Sequence, residues 1–439
     1  MRHTERGHEL EESITQALSS HITECHIQKE IEDSKINQGQ YAEIVSRLGA
    51  VFSTKDSYRS FLKYRRSKDM TQRLLDLFQR LLDTPGLETT FRYRLLDATQ
   101  RLSRTTDVYP ARFKLQGVKL TDCYPYANGG FADVYRGTHE GRVVCLKAIR
   151  LSKPSQVKYF YKRLCPEAIL LGQLKHQNVL PLYGICELGQ QLSLVSPWAE
   201  HGDINSYLEL NPGANRARLS QDVAYGVAYL HDNNIIHGDL KGANILVDGS
   251  GRALVADFGL SAVMDPQIIR WTSQSSLMKG GTTRWQAPEL FGRGNDGVVN
   301  NSKHSDIYAL ACVLYEIFTG RIPFFEDPRN VTVMYRVSIE GKQPSRPLPS
   351  SSPWSAWGLT EPIWELMTCC WSEDPMARPT IEQYITRLNQ EVTGVDDRPS
   401  SPELNPHSQR DVGQHLGYPT IKELETLLWG EAVRTPILG

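Results

Sequence analysis

Apolar residues recur at spacings of three and four along the first hundred positions. In "TQRLLDLFQRLLD", Leu74, Leu77, Phe78, Leu81 and Leu82 fall on one helical face. "TPGL" at 84–87 breaks that helix, and "ETTFRYRLLDATQRLSR" resumes the pattern with Phe91, Leu95, Ala98 and Leu102. Residues 1–105 are therefore expected to form an all-α N-terminal region. From about 116 the pattern changes. "RVVCLKAI" and "LSLVSP" are short runs rich in Val, Leu and Ile, bounded by charge or turn residues, and predict strands. After about 203 helical spacing returns, as in "SQDVAYGVAYLHDN". "IYALACVLYEIF" (307–318) is too short to span a bilayer and predicts a buried core helix. Strands first and helices afterwards predict an α+β, two-lobed domain over 116–392. Beyond it, "DDRPSSPELNPHSQ" is polar and Pro-rich, so 393–439 reads as a flexible tail. Within that tail Thr420 and Glu423 form a capping box ahead of a short amphipathic helix near 420–430, with Ile421, Leu424, Leu427 and Leu428 on its apolar side.

Composition narrows the classes. The chain of 439 residues has room for two or three domains. A net charge of −1 provides no strong pull toward nucleic acid or membrane, and neither is expected as a partner. The eight cysteines are scattered, with no C-x-x-C pair and no Cys/His cluster at zinc spacing. Reduced thiols in the cytoplasm, or in the nucleus, are the simplest reading. The start, "MRHTERGHELEE", is charged where a secretory signal would be apolar. The basic run "KYRRSK" (63–68) reads as a solvated helix end in preference to a binding patch. The N-terminal helices as a whole read as a packing or oligomerisation unit, with a regulatory partner as the alternative.

Three stretches carry candidate chemistry. "IIHGDLKGANILV" (235–247) places Lys241 two residues and Asn244 five residues after Asp239, the layout of a phosphoryl-transfer loop. "YANGGFADVYRG" (126–137) resembles a nucleotide-covering hairpin whose small residues let backbone amides approach phosphate oxygens. In "VVCLKAI", strand alternation separates Lys147, with Cys145 and Ile149, from Leu146 and Ala148. A lysine facing an apolar cleft calls for an anion, which nucleotide phosphates supply. Glu167 is the candidate carboxylate to hold that lysine, although Pro166 before it interrupts the helix. In "LVADFGLS" (254–261) an apolar strand delivers Asp257, a carboxylate that together with Asn244 suits Mg²⁺.

With these motifs in this order, the chain resembles a eukaryotic protein kinase over about 116–390. "GTTRWQAPE" resembles the end of an activation segment, and "CCWSEDPMARPT" the family's closing element, whose Arg378 would pair with Glu289. The "CW…DP…RPT" form and "NVLPLYGI" are most similar to the tyrosine-kinase-like group, especially its fungal members. The resemblance implies a bilobal kinase fold, ATP and Mg²⁺ as cofactors, and protein substrates phosphorylated on Ser or Thr. It implies that Asp239 orients and deprotonates the acceptor hydroxyl, Lys241 neutralises the γ-phosphoryl, Asn244 and Asp257 hold Mg²⁺, and Lys147 holds the α- and β-phosphates. Asp306 would brace the catalytic loop. The nucleotide would lie against Ala127, Asn128, Gly129, Gly130, Phe131 and Val134, with Cys145 above the purine and Leu246 below. Ser196 would stand behind the purine, and Pro197 and Ala199 would contact it along the hinge. Lys241 and Thr282 speak for Ser/Thr transfer. The chain departs from the family pattern at Ala127, Ala132, Cys145, Pro166 and Gly238. None of these removes a metal ligand or the base, so an active kinase is expected over a pseudokinase acting as a nucleotide-binding or scaffolding module. Gly238 replaces an arginine that pairs with activation-segment phosphate in most relatives, which predicts activity independent of that switch.

Overall fold

The computed structural model describes residues 39–128, 132–150, 168–188, 191–258, 283–292, 301–392, 396, 398–399 and 418–430. The chain forms two compact units, Met1–Pro110 with Gln409–Gly439, and Ala111–Ser408.

The first unit is helical. Helices α1 (39–53), α2 (Lys55–Lys63), α3 (Lys68–Asp83) and α4 (Thr89–Thr106) each begin where the sequence supplies a start signal or a fresh apolar stripe. Thr54, Ser67 and Glu88 accept hydrogen bonds from otherwise orphaned amides of the first turns of α2, α3 and α4. Asp107 ends α4 in the left-handed region. The predicted stripes are buried: Leu74, Phe78 and Leu81 of α3 meet Phe91, Leu95 and Ala98 of α4 in one core. Each such leucine contributes about 2 kcal/mol relative to an exposed one. Phe52, Phe61, Phe78 and Phe91 cluster with ring centroids 5.7–6.1 Å apart.

The C-terminal helix, Ile421–Trp429, belongs to this unit and not to a separate tail. Its Leu424, Leu427 and Leu428 complete the same core. The Thr420–Glu423 capping box is present. The basic run 63–68 divides here. Lys63, Arg65 and Lys68 are exposed, as a solvated end requires. Arg66 turns inward, over the Phe61 ring at 4.5 Å, and donates to the carbonyls of Leu427 at 2.9 Å and Leu428 at 2.7 Å. It caps the C-terminal helix, whose last carbonyls have no partner of their own. A composition-based reading could not find this, because the two partners are more than 350 positions apart.

The second unit has the expected α+β, two-lobed architecture. In its small lobe, strands β1 (Lys119–Leu120), β2 (Ala127–Asn128), β3 (Ala132–His139), β4 (Arg142–Ile149), β5 (Gly184–Leu188) and β6 (Gln191–Pro197) form one antiparallel sheet in the order β1-β3-β4-β6-β5, with β2 on β3. One face of β4 (Val144, Leu146 and Ala148) is fully buried, and Val144 and Leu146 pack with Leu115, Tyr183 and Val195. Between β4 and β5 the described part of a helix, α5, covers 168–171. The large lobe follows with α6 (Ile204–Leu210), α7 (Arg216–Asp232), a two-stranded ladder of β7 (Ile245–Val247) and β8 (Ala253–Val255), α8 (Lys303–Thr319) and α9 (Asn330–Ser338). The predicted core helix is α8, with every residue from Ser305 to Thr319 buried. Two further helices, α10 (Glu361–Cys370) and α11 (Ile381–Glu391), close the lobe.

Part of the segment read as tail is fastened to this lobe. Arg398 donates to both carboxylate oxygens of buried Asp222 at 2.6 and 3.1 Å, and Asp396 pairs with Arg252 at 3.0 Å. Arg398 holds the Asp396 carboxyl well below the usual range. Residues 393–439 are thus shared between the two units.

Candidate active site

The β7–β8 ladder builds the centre of the site. Its register pairs Ile245 with Val255, so Asn244 and Asp257 extend from the same end. The Ala256 amide donates to the Asn244 carbonyl at 2.9 Å and continues the pairing one step further. Asp257 itself adopts a left-handed backbone, φ 61°, unfavourable for a non-glycine residue.

The loop before β7 is held from beneath by one carboxylate. Asp306 accepts the amides of His237 at 2.8 Å and Gly238 at 2.9 Å, and contacts His231 Nε2 at 3.0 Å. This is the bracing role expected of it. His237 is buried; its Nδ1 accepts the Asp239 amide, so Nε2 carries the proton and donates to the Ala256 carbonyl at 2.9 Å. Burial lowers its pKa, which keeps the ring neutral. Gly238 has φ +75°, and a Cβ there would meet the Asn301 amide at 2.6 Å. Backbone freedom is therefore used at this glycine.

Asp239 Oδ2 pairs with the Lys241 ammonium at 2.8 Å and accepts from Asn244 Nδ2 at 3.0 Å. Asn244 Nδ2 also donates to the Asp239 carbonyl at 2.7 Å. Across the cleft, Lys147 pairs with Asp257 Oδ1 at 2.6 Å. The alternation argument for Lys147 agrees with the burial: Cys145 and Lys147 are half-buried on the face opposite Leu146 and Ala148. Lys147 lies beside Val134 of β3 and Leu194 of β6. Glu167, Gly129, Gly130, Phe131 and Thr282 lie outside the described residues.

The other described residues expected to contact nucleotide lie on β2, β3, β4, β6 and β7 or just past β6. Ala127 pairs with Val134, and Asn128 with Asp133, in the β2–β3 hairpin. Cys145 and Ser196 face each other across β4 and β6, and burial pushes the Cys145 thiol up to about 11. Pro197 ends β6, and Ala199 follows it. Leu246 sits in the middle of β7. Sequence reasoning missed three groups. His231 supports Asp306. Trp198, at the hinge, meets the Tyr126 ring edge-on at 4.9 Å, with the Arg136 guanidinium 5.3 Å over it. Glu316 is the third, buried in α8. No local pattern marks a polar residue whose partners are distant in sequence. Arg378 was anticipated and makes the bidentate pair with Glu289, both bonds 2.7 Å, while also donating to the carbonyls of His304 and Ser372.

The protein kinase domain family model matches residues 127–388, more than half of the chain. The chain belongs to the protein kinase family. Its relatives place it in the tyrosine-kinase-like group. It is 31% identical over 304 residues to the serine/threonine-protein kinase STY17 of Arabidopsis thaliana, covering 66% of this chain and 46% of that one. It is 30% identical over 290 residues to the probable serine/threonine-protein kinase drkC of Dictyostelium discoideum, covering 64% and 36%. To mitogen-activated protein kinase kinase kinase 10 of Homo sapiens it is 31% identical over 273 residues, covering 59% and 26%. The chain thus spans less than half the length of these relatives, and the likeness lies in the kinase domain. Among the described residues no helix is long and apolar enough to cross a membrane.

The residues present fit the divalent cation that the family generally uses. Asn244 spends its amide hydrogens on Asp239, and its side-chain oxygen has no partner among the described residues; Asp257 keeps one carboxylate oxygen beyond the Lys147 pair. Two such oxygens suit Mg²⁺, a hard cation that takes few protein ligands and completes its shell with phosphate and water. Among the described residues no cluster of three His, Cys, Asp or Glu is built for a tighter metal.

Proposed function

We propose that this protein is an ATP-dependent kinase that transfers the γ-phosphoryl group to Ser or Thr hydroxyls of protein substrates, in intracellular signalling. One observation carries the reading: Lys147, Asp239, Lys241, Asn244 and Asp257 form two adjoining charged groups at one end of a two-stranded ladder. A module that only bound nucleotide would not need the Asp239–Lys241 pair.

Each side chain has work that its geometry allows. Lys241 and Asn244 both occupy Asp239 Oδ2, which leaves Oδ1 to accept and orient the acceptor hydroxyl. Lys241, 2.8 Å from Asp239 Oδ2, stands where it can neutralise charge on the transferring group. Lys147 would exchange its contact with Asp257 for the α- and β-phosphates. Asn244 and Asp257 would hold Mg²⁺, which when bound neutralises phosphate charge. The Asp306 bonds keep the loop from reorganising during transfer, so positioning does most of the catalysis. Ser196 and Cys145 leave a small-residue wall behind the purine. The pseudokinase reading is not favoured, because no charged member of the set is missing. The free thiols among the described residues agree with a reducing compartment, cytoplasmic or nuclear. The helical unit is the candidate seat of a regulatory partner.

Purified protein incubated with Mg²⁺, labelled ATP and a degenerate Ser/Thr peptide library should incorporate label, and Asp257→Asn should abolish it. No incorporation by the unaltered chain, with nucleotide bound, would return the pseudokinase reading.

A further inference from the structure

Asp222 lies on α7 and is 3% exposed. Its Oδ2 accepts the amide of Ala253, the first residue of β8, at 3.0 Å. A carboxylate buried with one amide for company is costly, and burial pushes its pKa up. The cation that offsets this comes from beyond α11. Arg398 donates from Nη1 to Asp222 Oδ2 at 2.6 Å and from Nη2 to Oδ1 at 3.1 Å, the two-pronged geometry of a strong pair. Nη1 also donates to the Gly251 carbonyl at 3.1 Å. Arg398 is itself held. Asp396 accepts from its Nε at 2.9 Å and from its Nη2 at 3.0 Å. Arg252, buried and directly before Ala253, donates to Asp396 at 3.0 Å, to the Arg398 carbonyl at 3.2 Å and to the Pro399 carbonyl at 3.3 Å. Two arginines and two carboxylates thus interlock residues 396, 398 and 399 with the start of β8.

We infer that Arg398 is a positioning residue for Mg²⁺-dependent transfer, acting through Asp222 and the start of β8 on Asp257 at its far end. The inference rests on the kinase reading above. Its physical basis is the shortness of the strand. β8 has three residues, and Asp257 follows Ala253 by four, about 13 Å of extended chain. The ladder bonds that Val255 and Ala256 make leave little slack over that length. A shift where β8 begins therefore reaches the carboxylate that would hold the metal. Without Arg398 the Asp222 carboxylate has to gain a proton or draw in water, and the Ala253 amide moves with it. A polar, Pro-rich stretch after the last helix of the lobe thereby becomes part of the support behind a metal ligand.

The test compares Arg398→Ala and Arg398→Lys in the full chain, with the peptide library as acceptor and Mg²⁺ as the varied quantity. Arg398→Ala should raise the Mg²⁺ concentration for half-maximal transfer about tenfold, the scale on which partners behind a metal ligand act. At saturating Mg²⁺, kcat and the KM for peptide should return to within about threefold of wild type, because the groups that meet the acceptor are untouched. Arg398→Lys keeps the charge but not the fork and should fall between the two. Should Arg398→Ala fail to fold, Arg398→Ala combined with Asp222→Asn carries the test. It strands no buried charge, keeps an acceptor for Ala253, and should show the same Mg²⁺ shift. In protein free of Mg²⁺ and nucleotide, hydrogen exchange should quicken at 253–257 in either variant. A loss of kcat with unchanged Mg²⁺ dependence would mean that the interlock is a general brace, and would overturn the positioning role. Wild-type behaviour in Arg398→Ala would do the same. If the wild type transfers nothing to peptide, it is the kinase reading that fails. Exchange still reads the link from Arg398 to β8 in that case, and unchanged exchange at 253–257 would sink it independently.

Discussion

The two units of this protein are stabilised by opposite means. The helical unit buries hydrocarbon. Leu74, Phe78, Leu95 and Leu424 fill its core, and its polar work is done at helix ends, by Thr54, Ser67, Glu88 and Arg66. The bilobal unit also has an apolar core, but it buries charge within it: Asp306, Glu316, Asp222 and Arg378 are all under 5% exposed. Each of these joins segments that the apolar core alone would not align. Hydrocarbon packing is tolerant of small displacements, whereas a hydrogen-bonded carboxylate accepts its donors only within a few tenths of an ångström. A unit that performs chemistry needs the second kind of constraint. Among its described residues the helical unit buries no charged side chain.

The sharpest way to break the comparison is at the reacting group. Asp239→Asn should leave nucleotide affinity unchanged and reduce transfer by about a hundredfold or more. Nucleotide titration beside the peptide assay checks this, and wild-type-like turnover would mean that the charged set is structural, like the charges elsewhere in the lobe. Next in size are the two kinds of anchor. Arg378→Ala strands Glu289 and two carbonyls in a buried setting and should cost about 3–5 kcal/mol. Chemical denaturation should show it as a lower midpoint of the bilobal unit. Leu424→Ala removes packing only and should cost about 2–5 kcal/mol. That loss should appear in the helical unit alone, with kcat for peptide unaltered. A fall in kcat equal to that of Arg378→Ala would show that the division between the units does not hold functionally. The smallest effect is expected in the activation segment. Replacing Thr272, Ser273, Ser275 and Ser276 together with Ala should change activity by a few-fold at most, because Gly238 offers no cation for a phosphate to pair with. A loss on the order of a thousandfold, the scale of assembling a charge-stabilised site, would show that a phosphate there finds another partner.

What the sequence determined by itself is local. Apolar spacing fixed the α3 and α4 stripes and the buried α8, since a helix repeats every 3.6 residues whatever surrounds it. Alternation put Lys147 opposite Leu146 because a strand repeats every two. The catalytic loop was legible because Asp239, Lys241 and Asn244 lie within six positions, close enough for one loop to hold them together. The Arg378–Glu289 pair, 89 positions apart, was read through family resemblance and not through spacing. Only the tertiary structure decided the rest. The last helix fills the core begun by the N-terminal helices, and Arg66 caps it. Arg398, in a stretch that reads as linker, locks onto Asp222. One oxygen of Glu316 gathers Gly242 and Trp285. The reason is common to all three. An amphipathic helix or an isolated charge states that it needs a partner, but many faces and many charges in the chain would satisfy it. The choice among them is made by shape and distance once the chain has folded, and neither is written in any single stretch of residues.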